Sequence, residues 1–503
     1  MVSKVKTVAF VGMRPIEIVV EAQISPGLSS FCIVGLPDKA VGEAKERIRS
    51  AFFHLGIGFP ASKVVINMAP ADIPKAGSHY DLPIALAILG AMDVIDVSML
   101  ENSLSIGELG LDGTLPYISG TICAAMLANE NKLSLICPKK CENEAIWSGN
   151  NSIIATPSVI SLLNHINGVT QINSPEISAV KVAEVDFGVD MVDVYGQFFA
   201  KRALEIAASG RHNVLMIGSP GSGKSMLASR MRTIIPPLTP TEALETTCIY
   251  SLAGMSPKEG LVYHPPYREP HNSASLISMV GGGADAKPGE ISLAHNGILF
   301  LDELPEFQRS VIEALRQPLE TNEITISRAK EHITYPANIQ LIAAMNPCKC
   351  GYFGTDEKQC SKAPKCAVEY RNKISGPILD RFDIIVYVNS VKITDLFENT
   401  PREDSATIRA RVEKTRTLQK ERAGKYDINE PYLNGKSQGK YLDAITKLDA
   451  ETAKFFQNAI EHAHLSARSY YKILRVARTI ADMEETESIT RQHISEALQY
   501  RLL

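Results

Sequence analysis

Val214-Leu-Met-Ile217-Gly218-Ser219-Pro220-Gly221-Ser222-Gly223-Lys224-Ser225 is the stretch from which the rest of the chain can be read. Four consecutive apolar residues suit a strand buried on both faces, the mark of a parallel sheet covered by helices. The glycines let successive backbone N–H groups turn inward, and Lys224 and Ser225 stand at the start of a helix, at the spacing of a phosphate-binding loop. In such a loop the N–H groups and the helix N-terminus hold phosphates. The lysine reaches the terminal ones, and the Ser225 hydroxyl is offered to Mg2+. ATP with Mg2+ is the expected ligand.

Outward from this loop, Gly297-Ile-Leu-Phe-Leu-Asp302-Glu303 is a second apolar strand that carries two carboxylates at its C-terminal edge, where open α/β sheets bind ligands. Asp302 is expected to hold Mg2+ through water, and Glu303 to orient and polarise the attacking water. A third apolar run, 341–345, ends at Asn346, which is expected to help position that water, to start the Asn346-Pro347 turn, or to do both. From composition, Arg381 in Gly376-Pro-Ile-Leu-Asp380-Arg381-Phe382-Asp383 reads as a surface cation paired with Asp380 or Asp383.

A chain of 503 residues exceeds what one core supports. The expected units are an α/β domain over 1–172, a P-loop parallel-sheet domain over 173–395 and a small all-helical lid over 396–503. In the first, strands are expected over 7–11, 16–24, 31–34 and 64–68, with helices over 39–55 and 82–91. In the last, helices are expected over 450–464, 469–483 and 490–500, with Ser466 and Ser488 as N-caps of the later two and a flexible stretch over 424–439. Hydrophobic residues at 45% and a net charge of −4 exclude a disordered chain and give no global basic field. Lys4, Lys6, Arg14, Pro15 and Glu17 break any signal-peptide core, and no apolar run is long enough for a bilayer, so a cytoplasmic protein without membrane attachment is expected.

Nine cysteines, an odd number, do not resemble a secreted disulfide framework. Cys348-x-Cys350-x9-Cys360-x5-Cys366 groups four of them in one loop, read either as a tetrahedral Zn2+ site or as four reduced thiols in irregular chain. Cys32, Cys123, Cys137, Cys141 and Cys248 lie singly and are expected as small core or partly buried residues.

Together these residues resemble the magnesium-chelatase-like AAA+ ATPases, specifically the ComM/YifB family, over essentially the whole chain. The stretches that carry the resemblance include Asp193-Val-Tyr-Gly196-Gln197, Ser273-Ala-Ser-Leu276, Val280-Gly-Gly-Gly283 and Lys287-Pro-Gly-Glu-Ile-Ser-Leu-Ala-His-Asn296. Others are Met345-Asn-Pro-Cys-Lys-Cys-Gly351, Ile374-Ser-Gly-Pro-Ile-Leu-Asp-Arg-Phe-Asp383 and Val476-Ala-Arg-Thr-Ile-Ala-Asp482. The resemblance implies Gly196 and Gln197 at the nucleotide, Asn346 as sensor 1, Arg381 as an arginine finger acting on a neighbouring subunit's ATP, and Arg468 as sensor 2, with Arg475 and Arg478 as alternatives. It also implies a homohexameric ring, because a finger supplied in trans requires a neighbour. Residues 275–296 then resemble the helix-2 insertion and 323–336 the pre-sensor-1 hairpin. Its tip cations Arg328, Lys330 and His332 would face DNA in a central pore.

The N-terminal domain resembles the Lon-protease type, but Asp81 and Thr121 stand near the places of its catalytic serine and lysine, so proteolysis is not expected. Ser78 with Lys75 is the remaining candidate pair. What the resemblance implies first is an ATP-driven DNA motor that moves branch points in recombination intermediates, as in natural transformation. A chelatase-type motor acting through partner subunits is an alternative, against which the Lon-like domain counts. An ATP-dependent protein unfoldase is another.

Overall fold

The computed structural model describes residues 2–175, 186–255, 260–283, 286–327, 332–353, 360–390, 402–428 and 432–501. Alternating apolar and polar residues make a long antiparallel pair of strands, β1 (Val2–Val11) and β2 (Arg14–Ser25), in register from Val2↔Gln23 to Val11↔Arg14. With β3 (Ser30–Val34), β4 (Lys63–Ala69), β5 (Ser103–Ser105), β6 (Ser134–Pro138) and β7 (Ile153–Thr156) they form a mixed sheet in the order β3-β4-β2-β1-β5-β6-β7. The helix Asp81–Ala91 is apolar on every side after Asp81, and its residues are buried from Asp81 to Gly90.

Asp81 therefore has a structural role. Its carboxylate is fully buried and accepts from Arg47 at 2.6 and 3.0 Å and from the Leu109 N–H at 3.1 Å. Removing one partner of such a pair leaves a buried charge uncompensated. Arg47→Met is thus expected to destabilise this domain by about 3–5 kcal/mol, read from hydrogen exchange of the Asp81–Ala91 amides. A loss below about 1 kcal/mol, the size of an exposed pair, would mean that the carboxylate reaches water. Ser78 and Lys75 are each engaged elsewhere: the Ser78 hydroxyl donates to Glu108, and the fully buried Lys75 donates to the Pro70 carbonyl.

The second sheet is parallel throughout. It comprises β8 (Val214–Ile217), β9 (Tyr267–Arg268), β12 (Ile298–Leu301), β15 (Gln340–Met345) and β16 (Ile384–Tyr387), in the order β16-β8-β15-β12-β9. Between these strands in sequence come a two-residue ribbon, β10 (Gly281–Gly282) with β11 (Lys287–Pro288), and a hairpin, β13 (Glu323–Ser327) with β14 (His332–Pro336). The period of two sorts the strand residues between two cores. On one face Leu215, Leu299, Leu341 and Ile385 pack with Ile326 and Ile333 of the hairpin and Met279 and Ile291 of the insertion. On the other, Val214, Phe300, Ile342 and Val386 share one core with Ala203, Leu204 and Ala207 of the helix Phe198–Gly210 and with Val412, Phe456, Ile473 and Ile494 of the C-terminal helices. The N-terminal domain meets the nucleotide domain through a smaller apolar contact that joins Ile122 and Cys123 to Leu238, Ala243 and Cys248.

Of the C-terminal helices, Ala467–Met483 is capped by Ser466 as expected. Arg491–Gln499 is capped by Thr490, not Ser488, because Thr490 and His493 close a reciprocal capping box. Within the 424–439 stretch, residues 433–437 depart from expectation. Asn434 is fully buried, taking its N–H to Gln419 and its amide to Thr479 and Asp482 at 2.7–3.1 Å, and Gly435 lies so close to the Gly210 carbonyl that a Cβ would stand 2.6 Å from it. Among the described residues no helix is long and apolar enough to cross a membrane.

Candidate nucleotide site

The phosphate loop leaves β8 at its C-terminal end and turns through Gly221 (φ 78°) and Gly223 (φ 93°) into the helix Lys224–Ile234. Both glycines have backbone angles that a side chain opposes, which brings the loop's N–H groups to the helix N-terminus. The Lys224 ammonium donates to the carbonyls of Gly218 and Ser219 at 2.8 and 2.9 Å and to Asn346 Oδ1 at 3.2 Å. Burial pulls its pKa down. Gln197, itself in the left-handed region, donates to the carbonyls of Ser222 (3.2 Å) and Asn389 (2.5 Å), so Gly196-Gln197 flanks the loop's far side.

The Ser225 hydroxyl donates to Asp302 Oδ2 at 2.6 Å. A hydroxyl and a carboxylate this close at the mouth of the phosphate loop are the oxygen set a Mg2+ ion takes. Glu303 stands at φ 51°, held in the left-handed region by its own N–H donating to Asp302 Oδ1 at 2.8 Å. Its carboxylate accepts from Asn272 Nδ2 at 3.1 Å. Asn272 gave no signal in sequence: it follows β9, a strand of two residues, within a polar run. Lys224, Ser225, Asp302, Glu303 and Asn346 thus meet at the C-terminal ends of β8, β12 and β15.

Arg381 is elsewhere. It precedes β16, which runs parallel to β8 with Ile384 opposite Val214, so it lies at the strand-start edge. Four residues of strand span about 13 Å, and the guanidinium cannot turn back to its own phosphate loop. Its partner is Glu320, on the helix Arg316–Thr321, and not Asp380 or Asp383. Burial, with Arg468 and Arg316 nearby, lowers its pKa. Arg468 stands at the same edge, 3.5 Å from Asp380, and it lines with Arg381 and Arg475 a cleft of about 340 Å³ that contains no phosphate-loop residue. Arg478 is buried and consumed by Asp482 and the carbonyls of Thr486 and Glu487.

Arg328 and Lys330 lie outside the described residues. His332 opens β14, exposed and opposite Ser327. The sulfurs of Cys348, Cys350, Cys360 and Cys366 lie within 4.8 Å of one another. Four thiolates on one zinc would stand about 3.8 Å apart, so the donor set fits a tetrahedral thiophilic ion. Of the single cysteines, Cys123, Cys137, Cys141 and Cys248 are buried as expected, whereas Cys32 is exposed, on the outward face of edge strand β3.

A family model described as "Magnesium chelatase, subunit ChlI" matches residues 190–396. One described as "Subunit ChlI of Mg-chelatase" matches 20–141, and one described as its C-terminal part matches 402–501. Over 505 residues the chain is 42% identical to the competence protein ComM of Haemophilus influenzae, covering 98% of this chain and 96% of that protein. It is 40% identical over 502 residues to YifB of Escherichia coli, covering 100% and 97%. A more distant match, 24% over 206 residues, joins 41% of the chain to 20% of the DNA replication licensing factor mcm6 of Dictyostelium discoideum. With a parallel sheet that gathers a phosphate loop, two carboxylates and an asparagine at one edge, the chain belongs to the ComM/YifB family of magnesium-chelatase-like AAA+ proteins and is an ATPase-type enzyme.

Proposed function

We propose that the chain is the subunit of a homohexameric motor that couples ATP hydrolysis to movement along DNA, acting on branched recombination intermediates in natural transformation. The full-length likeness to a protein named for competence carries this reading, and the likeness of 41% of the chain to a replication licensing factor supports it.

In this reading the loop N–H groups and Lys224 bind the phosphates, Lys224 exchanging its contact with Asn346 for a phosphate oxygen. Ser225 and Asp302 hold Mg2+, which when bound neutralises charge on the phosphate oxygens. Glu303 accepts the proton of the attacking water once Asn272 releases its carboxylate, and Asn346 holds that water in line. Arg381 and Arg468, together at the opposite edge, reach the ATP of the next subunit. On the far side of the sheet the hairpin and the insertion form one packed layer, with the Tyr335 hydroxyl donating to the Ala286 carbonyl at 3.0 Å. That layer carries His332, which faces DNA in this reading. The four-cysteine loop holds Zn2+.

Purified protein with ATP is expected to dissolve a labelled four-way DNA junction into duplexes, and Glu303→Gln protein is not. Hydrolysis of ATP by wild type without any junction dissolution would refute the DNA assignment while leaving the ATPase. The description of the family models favours a second reading, a motor for metal insertion working with partner subunits. One of those models covers 20–141, within the N-terminal domain whose Lon-like resemblance counted against a chelatase. ATPase stimulation by a tetrapyrrole-binding partner and not by DNA would decide for it.

A further inference from the structure

Resting on the zinc reading, we propose that the four-cysteine loop is a metal-held brace for the nucleotide site, in which one Zn2+ on Cys348, Cys350, Cys360 and Cys366 fixes Gly351 against the phosphate loop and Asn346 beside Lys224.

The loop touches the site at two points. Asn346 bonds the Lys224 ammonium, and two residues later Cys348 is fully buried, its carbonyl accepting from the Gly351 N–H at 2.9 Å. That short turn sets Gly351 at φ +82°, where a Cβ would stand 2.5 Å from Pro220 Cδ and 2.6 Å from Cγ. The cysteine loop and the phosphate loop therefore meet backbone against proline ring, with no room for a side chain. From the other side the Gly218 N–H donates to the Met345 carbonyl at 3.2 Å.

Among the described residues, none from 352 to 369 joins the apolar core beside the site. Among the described residues between Gly351 and Tyr370 none is buried, so the segment has no apolar core of its own. This is the circumstance in which short segments use a metal to fix their fold. The four sulfurs already converge, and Lys349, Lys362 and Lys365 in the same segment offset the negative charge that four thiolates on one Zn2+ would carry. Past the fourth cysteine, the helix Lys365–Arg371 buries Tyr370, and Lys373 pairs with Glu306 at 3.2 Å, tying the far end of the loop to the turn after Glu303.

Full-length protein purified without added metal is expected to carry about one zinc per chain by elemental analysis. Cys360→Ser/Cys366→Ser protein should lose it and bind a fluorescent ATP analogue at least about tenfold more weakly, with its helical circular dichroism retained. Gly351→Ala should keep its zinc and show a comparable loss, because it pushes on Pro220 directly. Wild-type protein free of zinc, with all four thiols reactive, overturns the metal reading. Zinc lost with analogue affinity unchanged overturns the brace while the metal reading stands. If the double variant does not fold, wild-type protein stripped with a zinc-selective chelator takes its place: affinity restored by added Zn2+ supports the brace, and affinity unaffected by stripping overturns it.

Discussion

Alanine at position 381 is expected to slow ATP turnover by about 10³–10⁵-fold while each subunit still binds nucleotide. The size follows from what a guanidinium does at the γ-phosphate, where it meets charge that develops in the transition state. The location follows from the sheet: Arg381 lies before β16 and the phosphate loop lies after β8, at opposite ends of parallel strands. On the proposed reading its target is therefore another chain's nucleotide. Mixed assemblies of Arg381→Ala and Lys224→Ala chains test this, since some interfaces then pair an intact loop with an intact arginine. Activity in the mixture, with neither parent active, is the expected result. Rings shown to be mixed yet inactive would sink the trans assignment.

Glutamine at position 303 should lower turnover by about 10²–10⁴-fold and leave ATP bound. The substitution keeps the side chain's length and its contact with Asn272 but removes the proton acceptor. The left-handed backbone at Glu303 is held by Asp302, so the variant should adopt the same turn. Single-turnover kinetics, with retention of ATP through gel filtration, measure both halves of the claim. Near-normal turnover would mean that another base serves the water.

The position of Glu303 was legible in the sequence for a physical reason, whereas Arg381 stood out only through the family resemblance. Strands buried on two faces leave uninterrupted apolar runs, and β8 falls at 214–217 as read, with β12 and β15 within a residue of the runs that announced them. The residues that end those runs, Asp302, Glu303 and Asn346, are then fixed at one edge by topology. Asn272 was hidden because β9 is only two residues long and leaves no periodic signal. Strand β5, with two serines among its three residues, was hidden likewise, although all three are buried. The 424–439 stretch read as flexible because its composition is polar, whereas Asn434 within it is held by partners 15 to 48 residues away in sequence. Thr490 displaced Ser488 as a cap because the choice depends on a reciprocal bond with His493, which is geometry and not composition.

The C-terminal helices share one apolar core with the nucleotide sheet: Val412, Phe456 and Ile473 belong to the same buried cluster as Val214, Phe300 and Ile342, together with Ala203, Leu204 and Ala207 of the helix Phe198–Gly210. In thermodynamic terms sheet and helices are a single cooperative unit, and a free energy of unfolding assigned to the helices alone has no reference state. Ligand bound at Lys224 adds its binding free energy to the whole unit by mass action. The C-terminal helices thereby melt together with the sheet, at a temperature set by nucleotide concentration.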